Sequence, residues 1–178
     1  MGFQTFNDLL YQQPSATTLA SSAAEAAIMT STLPLPANFW YVGRTVKLEA
    51  WGKASDTGTP TLRFRLRFGG LAGTVIIDWG ALTLGSGISN LIWHITSTIV
   101  CRSVGATGTI FGYGELTCGI GTFSTDRPQM GSSAGASAPA AATVDTTTAQ
   151  DLTLTAQWSA SSASNTVTCD HCDAIALN

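Results

Sequence analysis

Residues 61–68 read Thr61-Leu62-Arg63-Phe64-Arg65-Leu66-Arg67-Phe68, an unbroken alternation of large apolar side chains and arginines. Successive side chains of a β-strand point to opposite faces of the sheet. The pattern therefore predicts a strand that buries its four apolar side chains and leaves its three arginines on the other face. A helix would spread the same apolar side chains around its circumference. The chain is expected to be built from strands of this kind.

Strand signals recur at short intervals from Arg44 onward, separated by turns that contain glycine, serine and aspartate. The predicted strands span residues 44–52, 60–68, 73–79, 91–101, 108–118, 151–158 and 165–177. A weak strand within 17–32 brings the number to about eight, which is the strand count of a jelly roll. We therefore predict an all-β fold, an antiparallel jelly-roll sandwich of about eight strands.

The chain of 178 residues is long enough for one domain with its own core. We predict an N-terminal arm with the first weak strand at residues 1–32, and a single jelly-roll domain at 33–178. Residues 1–13 carry apolar side chains at helix-like spacing, Phe3, Phe6, Leu9 and Leu10. These side chains either dock on a neighbouring protein or pack on their own domain. Residues 119–142 show no periodicity and are predicted to form a long loop that contacts a partner or moves freely.

The charge content excludes some classes of partner. Only 11% of the residues are charged and the formal net charge is −3, so the chain has no basic footprint for nucleic acid. The N-terminus lacks the basic and apolar regions of a secretory signal, and no apolar run reaches the ~18 residues that span a bilayer. We therefore expect a soluble protein that binds neither nucleic acid nor a membrane. A surface poor in charge and rich in threonine and serine is typical of exposed strands and of faces that other subunits cover.

The four cysteines are predicted to be free, buried or half-buried thiols. Cys169 and Cys172 lie in one predicted strand, an odd number of residues apart, so they point to opposite faces unless a bulge intervenes. In a hairpin of residues 91–101 and 108–118, Cys101 and Cys118 face positions that are too far apart for a disulfide. A disulfide, or a metal site at the Cys-Asp-His-Cys element, is the alternative.

The residues that carry chemistry do not form a catalytic pattern. His94 and His171 both lie in predicted strands, with no nucleophile elbow and no paired-carboxylate motif beside them. The glycine pairs at 112–114 and 119–121 lack the strand-to-helix context of a phosphate loop. We predict that the protein is not an enzyme and needs no cofactor and no metal.

The three arginines of the opening segment need negative partners if they do not bind a ligand. If residues 44–52 paired with residues 60–68, Glu49 would lie opposite Arg63 or Arg65 on the outer face. Lys47 would add a further positive charge to that face. This pairing predicts a surplus of positive charge around the arginines.

The chain resembles a family of small β-rich virion proteins encoded by tailed bacteriophages. The resemblance rests on LPANFWYVGRT (35–45), GTPTL (58–62), CRSVGATGT (101–109), VDTT (144–147), LTAQW (154–158) and ASNTVT (163–168). The family is similar to jelly-roll domains of the tumour-necrosis-factor type, which usually assemble as trimers. The resemblance implies a non-enzymatic virion protein, a decoration or cement protein on the capsid exterior.

From this resemblance we predict a homotrimer that is assembled in the host cytoplasm, binds the major capsid protein and stabilises the outer capsid surface. A tail or fibre-tip protein that binds a host receptor or glycan is the alternative, and a hydrolase of cell-wall sugar lacks any carboxylate-pair signal. Aromatic residues can serve the subunit interface or the monomer core. The candidate interface residues are Phe3, Phe6, Leu9, Leu10, Trp51, Trp93, Phe111, Tyr113, Arg63, Arg65 and Arg67.

Overall fold

The computed structural model describes residues 7–120, 123–132 and 139–177, and for residues 120 and 123–128 it describes the backbone alone. Within these ranges the chain forms strands and turns, and no helix long and apolar enough to cross a membrane occurs there. The strands are β1 (Asn7–Gln12), β2 (Thr17–Ala20), β3 (Ala26–Ala27), β4 (Leu33–Leu35), β5 (Thr45–Ser55), β6 (Thr61–Phe68), β7 (Thr74–Thr83), β8 (Leu91–Ser103), β9 (Gly108–Ile120), β10 (Phe123–Met130), β11 (Ala142–Val144), β12 (Gln150–Trp158) and β13 (Thr166–Leu177).

The strands form two antiparallel sheets. The eight-stranded sheet has the order β1-β13-β5-β8-β9-β10, with β2 also paired to β13 and β11 also paired to β9. The five-stranded sheet has the order β3-β12-β6-β7, with β4 also paired to β12. The predicted all-β antiparallel sandwich is therefore confirmed, and its strand order is compatible with a jelly roll.

The alternation of residues 61–68 is confirmed in β6. Its four apolar side chains lie in the core between the sheets, and its arginines lie on the outer face of the five-stranded sheet. Phe64 packs against Trp93 of β8 across the sandwich, with ring centroids 4.9 Å apart. Gly52 of β5 makes room for this contact, because a Cβ there would lie 2.5 Å from the Trp93 ring. A tight sheet-to-sheet contact of this kind holds the two layers in register.

The N-terminal segment differs from its helix-like prediction. Residues 7–12 form β1, which pairs antiparallel with β13 from Asn7 opposite Leu177. Tyr11 is buried, and its hydroxyl lies 2.9 Å from the Thr30 hydroxyl. A free edge of β13 offers backbone partners to an extended chain, and these outweigh a helix of about three turns that is marginal by itself. The described part of the segment packs on its own sandwich.

The predicted long loop at 119–142 is partly wrong. β9 continues to Ile120, and β10 occupies residues 123–130 as its antiparallel neighbour. The segment lacks apolar periodicity because it forms an edge strand, and an edge strand needs only backbone hydrogen bonds on one side. Pro128 fits this position, since a strand edge tolerates a residue without an N–H.

All four cysteines are free and buried, as predicted. Cys169 and Cys172 do not point to opposite faces, because the bulge that the prediction allowed for is present at Asp170, where β13 breaks its register with β5. The extra residue puts both thiols on the inner face of the sheet. Burial raises the pKa of Cys118 to about 11 and that of Cys169 to about 12. These thiols are therefore protonated at neutral pH and unreactive.

Candidate interaction surfaces

The exposed large apolar side chains of the described residues fall on two surfaces. We call the first the sheet face, the outer side of the eight-stranded sheet, and the second the turn end, the end of the sandwich where the β4–β5, β6–β7 and β8–β9 connections meet. The sheet face carries Leu9, Trp51, Ile92, Tyr113 and Met130. The turn end carries Tyr41, Val42, Leu71 and Val104. Both surfaces are candidates for contact with other proteins, since apolar side chains clustered on a monomer mark interaction sites.

Tyr113 and Met130 border a depression of about 360 Å³ on the sheet face. They are register partners on β9 and β10, and both are about half exposed. The floor is formed by small residues of β8, Thr96 to Thr98. Small side chains on β8 beside the exposed Tyr113 and Met130 leave a shallow recess that a side chain of another subunit can fill.

A second depression, of about 340 Å³, adjoins the first across Thr96–Thr98. It reaches β5 and β13, and it is more polar. Its remaining walls are Lys47, Leu48, Glu49, Asp173 and Ile175. Register explains the arrangement, because Asp173 is opposite Glu49, and Glu49 is opposite Thr96 on the next strand.

Trp51, Glu49 and His94 form a connected cluster beside this second depression. The Trp51 and His94 rings stack with centroids 3.5 Å apart and planes 13° apart. The indole N–H of Trp51 donates to Glu49 Oε1 at 3.1 Å, and His94 Nε2 lies 2.9 Å from the same oxygen. The cluster holds an exposed tryptophan ring in one orientation.

A backbone hydrogen bond and an aromatic contact hold the connections of the turn end close to the strands beside them. The Gly43 N–H donates to the Cys101 carbonyl at 2.8 Å, which fixes Tyr41 and Val42 beside the end of β8. Val104 follows β8 directly. The Trp40 ring lies 6.3 Å from Phe68, the last residue of β6, after which the turn that carries Leu71 begins. The four apolar side chains thus project from turns at the same end of the sandwich.

The arginines of β6 are paired within the chain, and their predicted partner is wrong. Glu49 lies in the other sheet, because β5 pairs with β13 and β8 whereas β6 pairs with β12 and β7. The actual partners are Asp78 of β7 and Glu25 of the segment before β3. Asp78 pairs with Arg63 and, at 3.1 Å, with Arg65. The outer face of the five-stranded sheet is therefore a closed charge network.

Glu25 is the centre of this network. Its carboxylate accepts hydrogen bonds from Arg65 at 2.5 Å, from Arg67 at 2.6 and 2.8 Å, and from the Thr155 hydroxyl at 2.5 Å. Burial raises the pKa of Glu25, but the hydrogen bonds from Arg67 and Thr155 and the charges of Arg65 and Arg67 outweigh it, so the pKa is lowered. Burial likewise raises the pKa of Asp78. The effects that lower it, led by the hydrogen bond from Arg63, outweigh burial, so the pKa of Asp78 is also lowered.

The structure therefore divides the candidate interface residues into buried and exposed ones. Trp93 is fully buried, which corrects its place among them, because it shares the inward face of β8 with Ile95 and Ile99. Leu10 is half-buried against the core. Phe111 lies on the outer side of β9, but the Arg102 guanidinium covers its ring at 3.9 Å. The remaining candidates on the sheet face are Leu9, Trp51 and Tyr113, whereas Phe3 and Phe6 lie outside the described residues.

Several surface residues were not predicted from the sequence. Ile92 had a signal, since it alternates with Trp93 and Ile95 and so had to point outward. Met130 lay in the segment predicted as a loop. Glu25 and Asp78 had no local signal, because their arginine partners are 40 and 15 residues away from them in sequence.

Among the described residues, no group of three or more histidine, cysteine, aspartate or glutamate side chains could hold a metal ion.

Comparison with known proteins assigns the chain neither a family nor a function. No protein-family model and no curated protein matches the chain. A chain in the structure of the infectious bursal disease virus Gt strain is similar at 13% identity and a TM-score of 0.21, over 98% of this chain and 42% of that one. This chain thus spans less than half of that chain's length, and a TM-score this low carries no argument.

Proposed function

We propose that the chain is a non-enzymatic virion structural protein of the capsid decoration type, which binds the outer surface of a capsid as a homotrimer. One observation carries the proposal. On a chain with only 11% charged residues, the exposed large apolar side chains of the described residues divide between a broad sheet face and a separate turn end. A protein that joins copies of itself to a shell needs two contact surfaces of this kind.

The sheet face has the dimensions of a subunit interface. Five strands spaced ~4.8 Å apart, each about ten residues long at ~3.3 Å per residue, give a face of about 20 by 35 Å. This matches the ~800 Å² that each partner buries in a standard protein interface. The Tyr113–Met130 side of the face supplies the apolar anchors, so we assign subunit association to it.

The turn end is assigned to the contact with the shell. Its apolar side chains project from turns, which can enter a recess between neighbouring capsid subunits without disturbing the sheets. Three-fold association presents three turn ends to the shell together. Avidity then raises the overall affinity even when each contact is weak.

Two substitutions separate these roles. Tyr113→Asp is expected to yield monomers in analytical ultracentrifugation with the fold retained, because its side chain is exposed on the monomer. Val42→Asp should retain the oligomer but lose binding to purified capsids that lack the protein. Thr83→Asp is the matched control, because it adds the same charge at an exposed position of β7 in the five-stranded sheet, away from both surfaces.

Copy number in purified particles tests the function itself. Hundreds of copies per particle, measured by quantitative mass spectrometry against the major capsid protein, are the expected result. A handful of copies would replace the proposal with a tail or fibre-tip role. If the wild-type chain is a monomer at micromolar concentration, the proposed trimer is wrong.

A further inference from the structure

One row of the sheet face has large apolar side chains at its two opposite edges. Register joins outward-facing residues of six neighbouring strands, from β1 to β10, in the order Leu9, Ile175, Lys47, Thr98, Tyr113 and Met130. Leu9 at one end, and Tyr113 and Met130 at the other, are 45–61% exposed. The middle of the row holds the charged Lys47 and the small Thr98. The row therefore has two apolar ends that polar residues separate.

The two ends of the row differ in shape. Leu9 projects from the edge strand β1, and the half-buried Ile175 beside it on β13 extends the apolar patch. Tyr113 and Met130 instead border the depression of about 360 Å³, beside small residues of β8. A projecting aliphatic side chain at one edge and an apolar depression at the other edge are complementary, as the two sides of a subunit contact must be.

The two ends cannot contact each other within one chain. β1 and β9 are four strands apart in the order of the sheet, which at ~4.8 Å per strand puts Leu9 about 19 Å from Tyr113. One end can therefore meet the other only in a second copy of the chain. A contact between different surfaces of identical subunits runs head to tail, and it closes into a ring when the rotation between subunits is a whole fraction of a turn.

A two-fold contact of face on face fits the sheet face less well. It would cover the central strand β5 and remove water from Lys47 and Glu49, which are both exposed in the single chain. The loss of water costs free energy for each charge that gains no opposite charge in return. A contact between opposite edges instead leaves β5 at the boundary between two contacts, where water can reach it.

We propose that Leu9 of one subunit fills the depression beside Tyr113 and Met130 of the next subunit, so that three copies join head to tail in a ring. The occupant of the depression is thus a second copy of this chain. The inference rests on the homotrimer of the proposed function, and it adds the side chain that enters the depression and the direction of the contact. Each subunit uses its two edges for two different neighbours.

Crosslinking of introduced cysteines tests this pairing. The four native cysteines are free and buried, so a short bis-maleimide reacts first with cysteines at exposed positions. The double variant Leu9→Cys with Met130→Cys is expected to form covalent trimers, because each of the three contacts brings these two positions together. Leu9→Cys with Thr83→Cys is the matched control, since Thr83 is exposed on β7 of the five-stranded sheet, and it should form no crosslinks between subunits.

The substitution Leu9→Asp gives a second readout. The fold should be retained in circular dichroism, because the Leu9 side chain is exposed on the single chain. In analytical ultracentrifugation the variant trimer should dissociate at a protein concentration at least tenfold higher than the wild-type trimer. Thr83→Asp adds the same charge outside the sheet face and should shift this concentration less than twofold.

The outcomes separate this inference from the proposed function. A wild-type trimer whose double variant forms no crosslinks between subunits, or stops at covalent dimers, would overturn the head-to-tail contact and leave the trimer standing. A folded Leu9→Asp variant that associates like the wild type would overturn it as well. A monomeric wild type would overturn the ring and the trimer together, whereas copy number in particles tests the decoration role alone.

Discussion

The carboxylate of Glu25 holds the segment before β3 against the outer face of the five-stranded sheet, and Glu25→Gln tests how much that contact stabilises the fold. Glutamine keeps the size of the side chain but removes its charge. Three arginines and two carboxylates meet in this network, with a net charge of +1. The substitution raises that charge to +2 and leaves Arg67 without an ion pair.

The expected loss of stability follows from how deeply the ion pairs of Glu25 are buried. Removing one partner of a fully buried ion pair costs ~3–5 kcal/mol, whereas exposed pairs contribute ~0–1 kcal/mol. The side chains of Glu25, Arg65 and Arg67 are 12–17% exposed, which places the network between these cases. We expect Glu25→Gln to lower the free energy of unfolding by about 2–3 kcal/mol. In a chain of this length that is a fall in Tm of about 4–12 °C.

Chemical denaturation followed by circular dichroism at pH 7 measures the change. Glu115→Gln is the control, because Glu115 is an exposed carboxylate on the other sheet, and it should change stability by less than about 0.5 kcal/mol. A double-mutant cycle with Arg67→Gln should show a coupling of at least about 1 kcal/mol. A loss below about 0.5 kcal/mol for Glu25→Gln, or no coupling, would refute the reasoning.

The same network predicts the pH dependence of stability. The pKa values of Glu25 and Asp78 are lower in the folded chain than their ordinary values, so the unfolded chain takes up protons first as pH falls. Their contribution is complete above the ordinary carboxylate pKa of about 4 and is lost as pH falls through the folded pKa. The difference between wild type and Glu25→Gln should therefore shrink below about pH 4. A difference that stays constant from pH 7 to pH 3 would contradict this assignment.

Three further results are expected. Trp93→Ala should lower the free energy of unfolding by about 3–5 kcal/mol and Trp51→Ala by less than about 1 kcal/mol, because only the former leaves a cavity. Equal losses in denaturant unfolding would contradict the assignment of Trp93 to the inward face of β8. Gly52→Ala should destabilise by at least about 2 kcal/mol, since its Cβ would lie 1.9 Å from the Thr168 carbonyl oxygen and 2.5 Å from the Trp93 ring; a neutral effect in the same assay would argue against the close approach of β5 to β13 and Trp93. Cys118 and Cys169 should resist iodoacetamide at pH 8 until the chain unfolds, and rapid labelling detected by mass spectrometry in the native state would show that they are not buried.

The sequence predicted the strands well, because the pattern that marks a strand depends only on the residues of that strand. The alternation of residues 61–68 fixes which side of β6 is buried whatever the neighbours are, and the same logic places Trp93 inward and Ile92 outward. The edge strand β10 gave no such signal, because a strand with one backbone partner needs no regular apolar face.

Pairing between distant segments could not be predicted. Glu49 and Glu25 are both plausible partners of the arginines by charge, and only the assignment of β5 and β6 to different sheets decides between them. Cys169 and Cys172 share a face because of one bulged residue, Asp170, which local alternation cannot reveal. The candidate surfaces depend on such pairings, so the sequence identified Trp51 and Tyr113 as residues but did not identify the depressions beside them.

The pairing of β1 with β13 determines how the sandwich responds to mechanical force. Asn7 lies directly opposite Leu177 at one end of the ladder, and antiparallel hydrogen bonds run perpendicular to the strands. Tension applied between these two positions loads one residue pair at a time, like a zipper, instead of shearing the whole ladder together. A fold that is stable at equilibrium can therefore peel open from this edge under a small pulling force.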